Sequence, residues 1–352
     1  MSKEFRELLR KIGSGPHTGE NLTRQEAEKA MEMMLQQEAT PAQIGAFLIA
    51  HRIKRPTGEE LAGMLDAYDR LGQKLQPINS QPVMVFCSPY DGRSRTAPIS
   101  PLTALILATA GQPVILHGGD RMPTKEGTPL IDIWQELGIN WRHFSIDKMQ
   151  QVFANTNLGF VYLPQHFPLA YNLVPYREQI GKRPPISTLE LIWSPYNGAT
   201  HLVSGFVHPP TENMFRDAFA LRGIPQRFTT VKGLEGSCDI PRDRTVIIGL
   251  GEIITGNQVS FERFFLHPRD YHFEGTEIPL FPINKLIENM QAVLAGQPSE
   301  LMKTAIGNGG FYLWRCGMYP DISSSLAAAE NLLTSGQVAK KLQQIQQTVA
   351  AM

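Results

Sequence analysis

The hydrophobic pattern of the chain changes near residue 80, and this change limits the possible folds more than any other feature. In the first 75 or so residues, apolar side chains recur at helical spacing, as at Ile44 and Phe47. Three helix-start signatures, each a threonine followed three residues later by Glu or Gln, begin at Thr23, Thr40 and Thr57. This part of the chain is therefore predicted to be all-α with short connections.

From about residue 80, short apolar runs alternate with helical segments. The predicted strands cover residues 83–88, 114–118, 160–164, 201–207 and 245–250. The predicted helices cover residues 99–110, 129–137, 168–180, 211–222, 284–295, 299–316 and 323–349. This order is typical of an α/β domain with a central, largely parallel sheet flanked by helices. We expect a small helical domain of residues 1–78, with the helices near 168–195 packed against it, and a large α/β domain of residues 79–352.

Charge and cysteine content narrow the function classes. Lys and Arg total 33 and Asp and Glu total 33, so the formal net charge is zero, which excludes a globally basic nucleic-acid binder but not a local basic patch. The widely spaced Cys87, Cys238 and Cys316 argue against a zinc ribbon or a disulfide framework and favour reduced thiols. The charged N-terminus lacks a signal-peptide core, and no apolar run approaches the roughly 20 residues of a membrane span. We expect a cytoplasmic protein that does not associate with membranes.

Ligands of open parallel sheets bind beyond the carboxyl ends of the strands, so the loops that follow the predicted strands are the first candidates. The loop of residues 88–100 carries Asp91, Gly92, Arg93 and Arg95 directly before a helix. Guanidinium groups near a helix N-terminus suit an anion. The alternative is a solvated loop in which Asp91 and Gly92 form an ordinary turn.

The loop of residues 117–127 joins the next predicted strand to its helix. Gly118 and Gly119 allow the backbone to approach a ligand closely. Polar candidates in this loop are His117, Asp120, Arg121, Thr124 and Lys125. The alternative is a glycine-rich turn that carries surface charges.

Two further segments contain candidate residues. His166 follows a strand, and Arg177 on the next helix could hold a carboxylate with two parallel hydrogen bonds, although a surface ion pair is the alternative. In the loop of residues 232–241, Glu235 and Asp239 could hold Mg²⁺ if they converge. Otherwise these two acids are simply solvated.

Several segments along the chain resemble those of a known family. Six segments resemble those of anthranilate phosphoribosyltransferases and occur in the same order. They are the N-terminal segment from LLRKIGSG to EELAGML, the stretches HGGDRMPTKEG, YLPQHFP, YREQIGKR and KGLEGSCD, and the C-terminal NLLTSGQVAKKL. The resemblance covers essentially the whole chain. It implies a small α domain plus a large α/β domain, as in nucleoside phosphorylases, and a homodimer formed through the small domain. It also implies Mg²⁺-dependent transfer of phosphoribosyl from phosphoribosyl pyrophosphate to the anthranilate amine, in tryptophan biosynthesis.

The resemblance also locates departures from the family's first two motifs. The glycine-rich GTGGD motif falls on residues 87–91, where only Asp91 survives, and the asparagine of the following segment falls on Ala97. In the second motif, the family's histidine and glycine are kept as His117 and Gly118, whereas its arginine is shifted by one to Arg121. Thr124 lies near a serine that binds metal in the family, so it could substitute for that serine.

The later motifs are retained in part. His166 matches the first histidine of the family's His-His-Pro, and Arg177 matches the arginine that holds the anthranilate carboxylate. The family's Asp-Glu metal pair falls on Cys238 and Asp239, so one carboxylate is lost. We therefore expect an altered pyrophosphate and metal site with reduced activity, in which Thr124 and Asp239 are the remaining candidates for Mg²⁺. The side chains expected to supply positive charge instead are Arg93, Arg95, Arg121 and Lys125.

An alternative function comes from the same comparison. The loop YDGRSRT also looks like a divergent branch of the family whose studied members bind nucleic acid and lack evident transferase activity. On this interpretation the protein binds single-stranded nucleic acid or a nucleotide through the same cleft, which is basic. The arginines of the loop 88–100 and the cluster of Arg52, Lys54 and Arg55 favour it. Although the chain is neutral in sum, we expect its cleft to be more positive than that of catalytic relatives.

Overall fold

The first layer of the molecule is a four-helix segment, as the sequence predicts. The computed structural model describes residues 3–15, 17–87, 92–254 and 258–352. Its N-terminal helices are α1 Lys3–Gly13, α2 Arg24–Leu35, α3 Pro41–Lys54 and α4 Gly58–Leu71. The threonine hydroxyl of each predicted helix start accepts a backbone N–H, and the Glu or Gln three residues later accepts the threonine's own N–H. The local sequence therefore defines where these helices begin.

A seven-stranded sheet forms the second part of the molecule. The strands are β1 Val83–Cys87, β2 Val114–Gly118, β3 Leu158–Tyr162, β4 Thr200–Gly205, β5 Arg227–Val231, β6 Val246–Ile253 and β7 Val259–Leu266. Their order is β3-β2-β1-β4-β5-β6-β7, with parallel pairing from β3 to β5 and antiparallel pairing of β6 and β7. Phe86 of β1 lies opposite Leu116 of β2 and Val203 of β4. The predicted fold class is confirmed.

The remaining helices flank this sheet and complete the core. They are α5 Ser100–Thr109, α6 Leu130–Glu136, α7 Ile146–Thr156, α8 Leu163–His166, α9 Pro168–Tyr171, α10 Val174–Ile180, α11 Ile186–Leu189, α12 Pro209–Arg222, α13 Ile283–Leu294, α14 Met302–Arg315, α15 Ile322–Thr334 and α16 Gln337–Ala350. Strands β1 to β4 are buried along their whole length, because helices cover both faces of a parallel sheet. No helix in the described ranges is both long and apolar enough to cross a membrane.

Several predicted elements differ from the observed ones. The helix predicted at 168–180 is two short helices, and a proline near the start of each accounts for the break. The helix predicted at 323–349 is divided at Gly336, whose φ of 75° is left-handed. The strand predicted at 160–164 lies two residues earlier, and α7, β5 and β7 were not predicted. Polar residues interrupt the apolar pattern of β7, which is an edge strand and only partly buried.

The helical segment packs closely against the sheet part of the chain. Helix α4 lies between α2 and α12. Helix α3 contacts α10, and α4 contacts α11. Gly63 permits the close crossing of α2 and α4, since a Cβ there would lie 2.0 Å from the carbonyl oxygen of Arg24. Asp66 of α4 lies 2.5 Å from the Arg24 guanidinium and 2.9 Å from that of Arg222 at the end of α12. Helices of the region around 168–195 therefore contact α3 and α4, while the division into two domains near residue 78 stays a prediction.

Candidate functional site

Three loops meet where the parallel strands end. They are the first loop (residues 88–100, after β1), the second loop (residues 117–127, after β2) and the loop of residues 232–241 after β5. The chain leaves β1 for β2 and β3 on one side and later returns to β4 and β5 on the other, so the direction of strand addition switches between β1 and β4. Such a switch point is where open α/β sheets bind ligands. Residues 88–91, including the predicted Asp91, lie outside the described residues. The described part of the first loop begins at Gly92.

The first two loops are locked together by their backbones. Gly92 has a left-handed φ of 70°, and a Cβ on Gly127 would lie 2.2 Å from the carbonyl oxygen of Arg93. The N–H of Thr128 donates to that carbonyl oxygen at 3.0 Å. Both glycines are needed for this close approach. The first and second loops, which are separate segments of the sequence, therefore form a single surface.

Arg93 is buried at the centre of this surface, with 3% of the residue exposed. Its Nη1 lies 2.5 Å from a carboxylate oxygen of Asp239, and its Nε lies 3.5 Å from one of Glu235. It also donates to the hydroxyl groups of Thr96 and Ser237 at 3.1 and 3.0 Å. The predicted anion-binding arginine is thus held by acids of the same chain. A buried pair of this kind is costly to break, because one charge is then left without a partner.

Asp239, one of the two residues predicted to bind metal, has both carboxylate oxygens in use. Oδ2 accepts the N–H of Ile99 at 2.9 Å in addition to the Arg93 contact, and Oδ1 accepts the hydroxyl of Ser100 at 2.7 Å. Glu235 and Asp239 do converge, but they converge on the Arg93 guanidinium. Thr124 is exposed on the second loop. In this arrangement the residues do not fit a Mg²⁺ ion, and the described residues contain no group of three or more His, Cys, Asp or Glu that could hold a metal.

Glu235 reaches the first loop from the loop after β5. Its carboxylate accepts the N–H groups of Arg95 and Thr96, both at 3.0 Å, and the Thr96 hydroxyl at 2.9 Å. Burial opposes ionisation of this carboxyl, but the hydrogen bonds from Thr96, Arg95 and Ser94 outweigh burial and hold the pKa of Glu235 at about 2. Glu235 is therefore a fixed negative charge near neutral pH.

The second loop contributes one cation to this cluster. Lys125 donates to the Glu235 carbonyl oxygen at 3.1 Å and lies 3.8 Å from its carboxylate. Arg121 is exposed, and Gly118 is buried at the end of β2. His117 is fully buried with its ring 5.6 Å from that of Trp193, and burial lowers the pKa of His117 to about 3 despite a hydrogen bond with the Trp193 backbone. A neutral His117 cannot supply positive charge to a phosphate.

His166 and Arg177 lie in the protein interior. The Nδ1 of His166 accepts the N–H of Tyr162 at 3.0 Å, and Nε2 lies 2.8 Å from the carbonyl oxygen of Phe144, so Nε2 carries the proton. Arg177 is 2% exposed, lies 3.4 Å from the Glu190 carboxylate and donates to the Ser187 hydroxyl. The alternative prediction, a surface ion pair of Arg177, was wrong in one respect, because Arg177 does pair with Glu190 but the pair is buried. Both side chains are thus buried and bonded within the protein, and their roles toward a substrate stay predictions.

Sequence reasoning missed several residues that shape the site. Ser100 and Ser237 complete the hydrogen bonding of Arg93 and Asp239, and Thr96 donates its hydroxyl to Glu235 at 2.9 Å. Asp120, which the sequence analysis did name, ties the second loop to β3 through the hydroxyl of Tyr162 at 2.8 Å. For Thr96 and Ser100, the hydroxyl residues in the sequence RSRTAPIS were the available signal. Hydroxyl groups beside arginines at a strand end are typical of a polar cluster of this kind.

The fold and these loops define a class: an α/β protein with a helical bundle beside a mostly parallel sheet and a polar cluster at the switch point of that sheet. Family comparison identifies the class more narrowly. The model of the glycosyl transferase family's helical bundle domain matches residues 6–72, and the model of its a/b domain matches residues 91–339. The chain belongs to this glycosyl transferase family, which includes the anthranilate phosphoribosyltransferases. The expected family assignment is confirmed.

Individual relatives agree with this assignment. The anthranilate phosphoribosyltransferase of Rhizobium meliloti is 27% identical over 331 residues, covering 93% of this chain and 94% of the relative. That of Verminephrobacter eiseniae is 26% identical over 319 residues, covering 90% of each. Among solved structures, the Saccharomyces cerevisiae enzyme in complex with PRPP and Mg has a TM-score of 0.83 at 16% identity, covering 100% of this chain and 99% of that one. The structural match supports the fold alone.

Proposed function

We propose that the protein is an anthranilate phosphoribosyltransferase-like transferase that moves phosphoribosyl from phosphoribosyl pyrophosphate to anthranilate or a related aromatic amine, with reduced activity. Family membership across both parts of the chain supports the reaction class. The observation that carries the proposal is the convergence of the loops after β1, β2 and β5 at the switch point of the sheet. The exposed Arg95 and Arg121 and the half-buried Lys125 supply cations for a phosphate there.

The reduced activity follows from the pairing of charges within the site. A departing pyrophosphate needs positive charge that is placed in advance. Arg93 instead neutralises Asp239, and Arg177 lies beside Glu190. In the yeast relative, PRPP and Mg are bound together, but the acids of this chain do not fit the metal. We therefore propose that exposed side chains, rather than Mg²⁺, meet most of the donor's charge.

Calorimetry with phosphoribosyl pyrophosphate, with and without Mg²⁺, tests this function. We expect saturable binding that depends little on Mg²⁺ and that weakens at least about tenfold in Arg95→Ala, since a charge-assisted hydrogen bond contributes roughly 1.5–3 kcal/mol. Turnover of anthranilate should be far below that of the Rhizobium meliloti enzyme assayed in parallel. The matched control is Arg244→Ala, another exposed arginine. Absence of both heat and turnover would contradict the proposal.

We also propose that the protein is a cytoplasmic homodimer formed through its helical segment. A groove of about 830 Å³ lies between α1 and α3, lined largely by apolar side chains that include Leu9, Ile49 and Ile53. Ile53 is 76% exposed. The free Cys87, Cys238 and Cys316 favour a reducing compartment. Analytical ultracentrifugation should give a dimer for the wild type and a monomer for Ile53→Glu, and a monomeric wild type would exclude this interface.

A second candidate function is nucleic-acid binding at a basic patch on the helical segment. Arg52 and Arg55 at the end of α3 and Lys182 after α10 are exposed, and Arg52 donates to the carbonyl oxygen of Arg183. Lys54 lies 2.7 Å from Glu60, so it adds no unpaired charge. Anisotropy with single-stranded DNA across a salt series tests this function. A steep salt dependence that is lost in the Arg52→Ala, Arg55→Ala variant would favour it, and weak, salt-independent binding would exclude it.

A further inference from the structure

Consecutive backbone N–H groups in the first loop point at one anion. The N–H groups of Ser94, Arg95 and Thr96 lie 3.3, 3.0 and 3.0 Å from the carboxylate oxygens of Glu235. The hydroxyl groups of Ser94 and Thr96 add two donors at 3.2 and 2.9 Å. Successive backbone N–H groups arranged in this way form an anion-binding nest. We call residues 94–96 the amide nest.

Hydrogen-bond donors of the amide nest and three cations of the two loops surround a single carboxylate. Arg93 Nε, Arg95 Nε and Lys125 Nζ lie 3.5, 3.6 and 3.8 Å from the Glu235 carboxylate. Asp239 balances one of these cations through Arg93. Five hydrogen-bond donors, with the exposed guanidinium of Arg95 beside them, suit a group with three oxygens and a charge near −2, which is a phosphate.

Glu235 enters the amide nest from a tight turn. It lies in the 3₁₀ turn Leu234–Gly236 with a left-handed φ of 55°, next to Gly236 with a φ of 80°. A left-handed conformation costs a non-glycine residue roughly 1–2 kcal/mol, so the surrounding contacts hold it in place. The side chain is 3% exposed, whereas Ser94 and Arg95 face solvent. The carboxylate thus fills the nest from the protein side, while two of the three nest residues are accessible to solvent.

We propose that the amide nest is a phosphate site that Glu235 occupies as an intramolecular competitor. A ligand carrying a phosphate monoester or a pyrophosphate binds there by displacing the Glu235 side chain. The proposal rests on the proposed function, because it concerns the same loops, and it adds regulation of that site by this chain's own carboxylate. It differs from a supporting role, in which Glu235 would strengthen ligand binding.

Removing the charge of Glu235 while keeping its shape tests the competition. Calorimetry compares wild type and Glu235→Gln with inorganic pyrophosphate, phosphoribosyl pyrophosphate and ribose 5-phosphate, in the absence of Mg²⁺. We expect Glu235→Gln to bind pyrophosphate at least tenfold more tightly than the wild type. The matched control is Glu126→Gln, because Glu126 is an exposed acid of the second loop and also has a left-handed φ, of 52°. The control should change affinity less than threefold.

Equal or weaker pyrophosphate binding by Glu235→Gln would overturn the proposal. A measurement on the wild type guards against misfolding of the variant. Saturating pyrophosphate should speed hydrogen exchange in residues 233–237 and slow it in residues 94–96, and slower exchange in both segments would overturn the competition. The three ligands separate a sugar phosphate from free pyrophosphate as the source of the bound group.

The outcome is distinguishable from failure of the proposed function. Tighter pyrophosphate binding by Glu235→Gln without any anthranilate turnover would support the competition and reject the transferase reaction. Turnover by the wild type together with weaker binding by Glu235→Gln would reject the competition and leave the reaction standing.

Discussion

Arg93 and Arg95 are two residues apart, yet the fold gives them opposite roles. The Arg93 side chain is 4% exposed and lies between two carboxylates, whereas the Arg95 side chain is 77% exposed. In the sequence they are two equivalent candidates for binding an anion. Arg93 became structural because Asp239, 146 residues further along the chain, is brought to its guanidinium by the ordering of the strands.

The first prediction concerns this pair. Arg93→Ala should lower the free energy of unfolding by about 3–5 kcal/mol, because Asp239 is left buried without its cation. Arg95→Ala should change it by no more than about 0.5 kcal/mol, as expected for a surface position. Urea denaturation of the two variants measures both values. Equal losses would contradict the assignment, and restored stability in Arg93→Ala, Asp239→Asn would support it.

At the scale of helices and strands, the local sequence predicted correctly those features that depend on residues adjacent in the chain. The capping threonines marked three helix starts correctly, and strand β2 was predicted at its observed limits. Prediction failed for β5 and β7, which lie in the part of the sheet that includes the antiparallel strands. Whether an apolar run pairs as a strand there depends on partners that the local pattern does not specify.

A second prediction compares two helical glycines. A Cβ on Gly63 would lie 2.0 Å from the Arg24 carbonyl oxygen, whereas a Cβ on Gly45 of α3 meets nothing within 4 Å. Gly63→Ala should therefore destabilise the protein by about 1–3 kcal/mol or more, since α2 and α4 must separate. Gly45→Ala should stabilise it by up to about 1 kcal/mol through helix propensity. Thermal denaturation should move the two melting temperatures in opposite directions, and a shared direction would contradict the packing argument.

At the scale of the whole molecule, overall charge says little about the site. The chain is neutral, and we expected a cleft more positive than in catalytic relatives. Arg93 lies between Asp239 and Glu235, and Lys125 lies near Glu235, so Arg95 and Arg121 remain as the exposed cations among the residues predicted for these loops. Two of the four cations predicted for these loops are thus engaged by acids of the same chain, and of the two exposed ones Arg95 belongs to the amide nest.

Burial of histidines predicts the acid stability of the whole molecule. Burial lowers the pKa of His117, His166 and His201, and for His201 the nearby Arg315 and Arg227 lower the pKa further. Below pH 6.5 the unfolded chain binds protons at these residues and the folded chain does not, so stability falls as the pH falls. Each histidine contributes a slope of up to about 1.4 kcal/mol per pH unit below its unfolded pKa.

Urea denaturation between pH 7.5 and 5 measures this slope above the range in which most carboxyl groups titrate. His201→Gln should remove one histidine's share of the slope, because its buried imidazole no longer resists protonation. The matched control variant is His17→Gln, because His17 is exposed. A stability that is constant over this pH range would contradict the buried, neutral state of these histidines.

The sequence by itself determined the helical segment, the alternation of strands and helices, the family, and the loops that meet at the switch point of the sheet. These features depend on hydrophobic period, capping and motif order, all of which are local or are carried along the whole chain. Only the tertiary structure decided what the charged residues do: Arg93 pairs with Asp239, Arg177 pairs with Glu190, and Glu235 fills the amide nest. The physical reason is that an ion pair forms only where the folded chain places its two partners. Residues 93 and 239 meet because β1 and β5 end at the same edge of the sheet, on either side of β4.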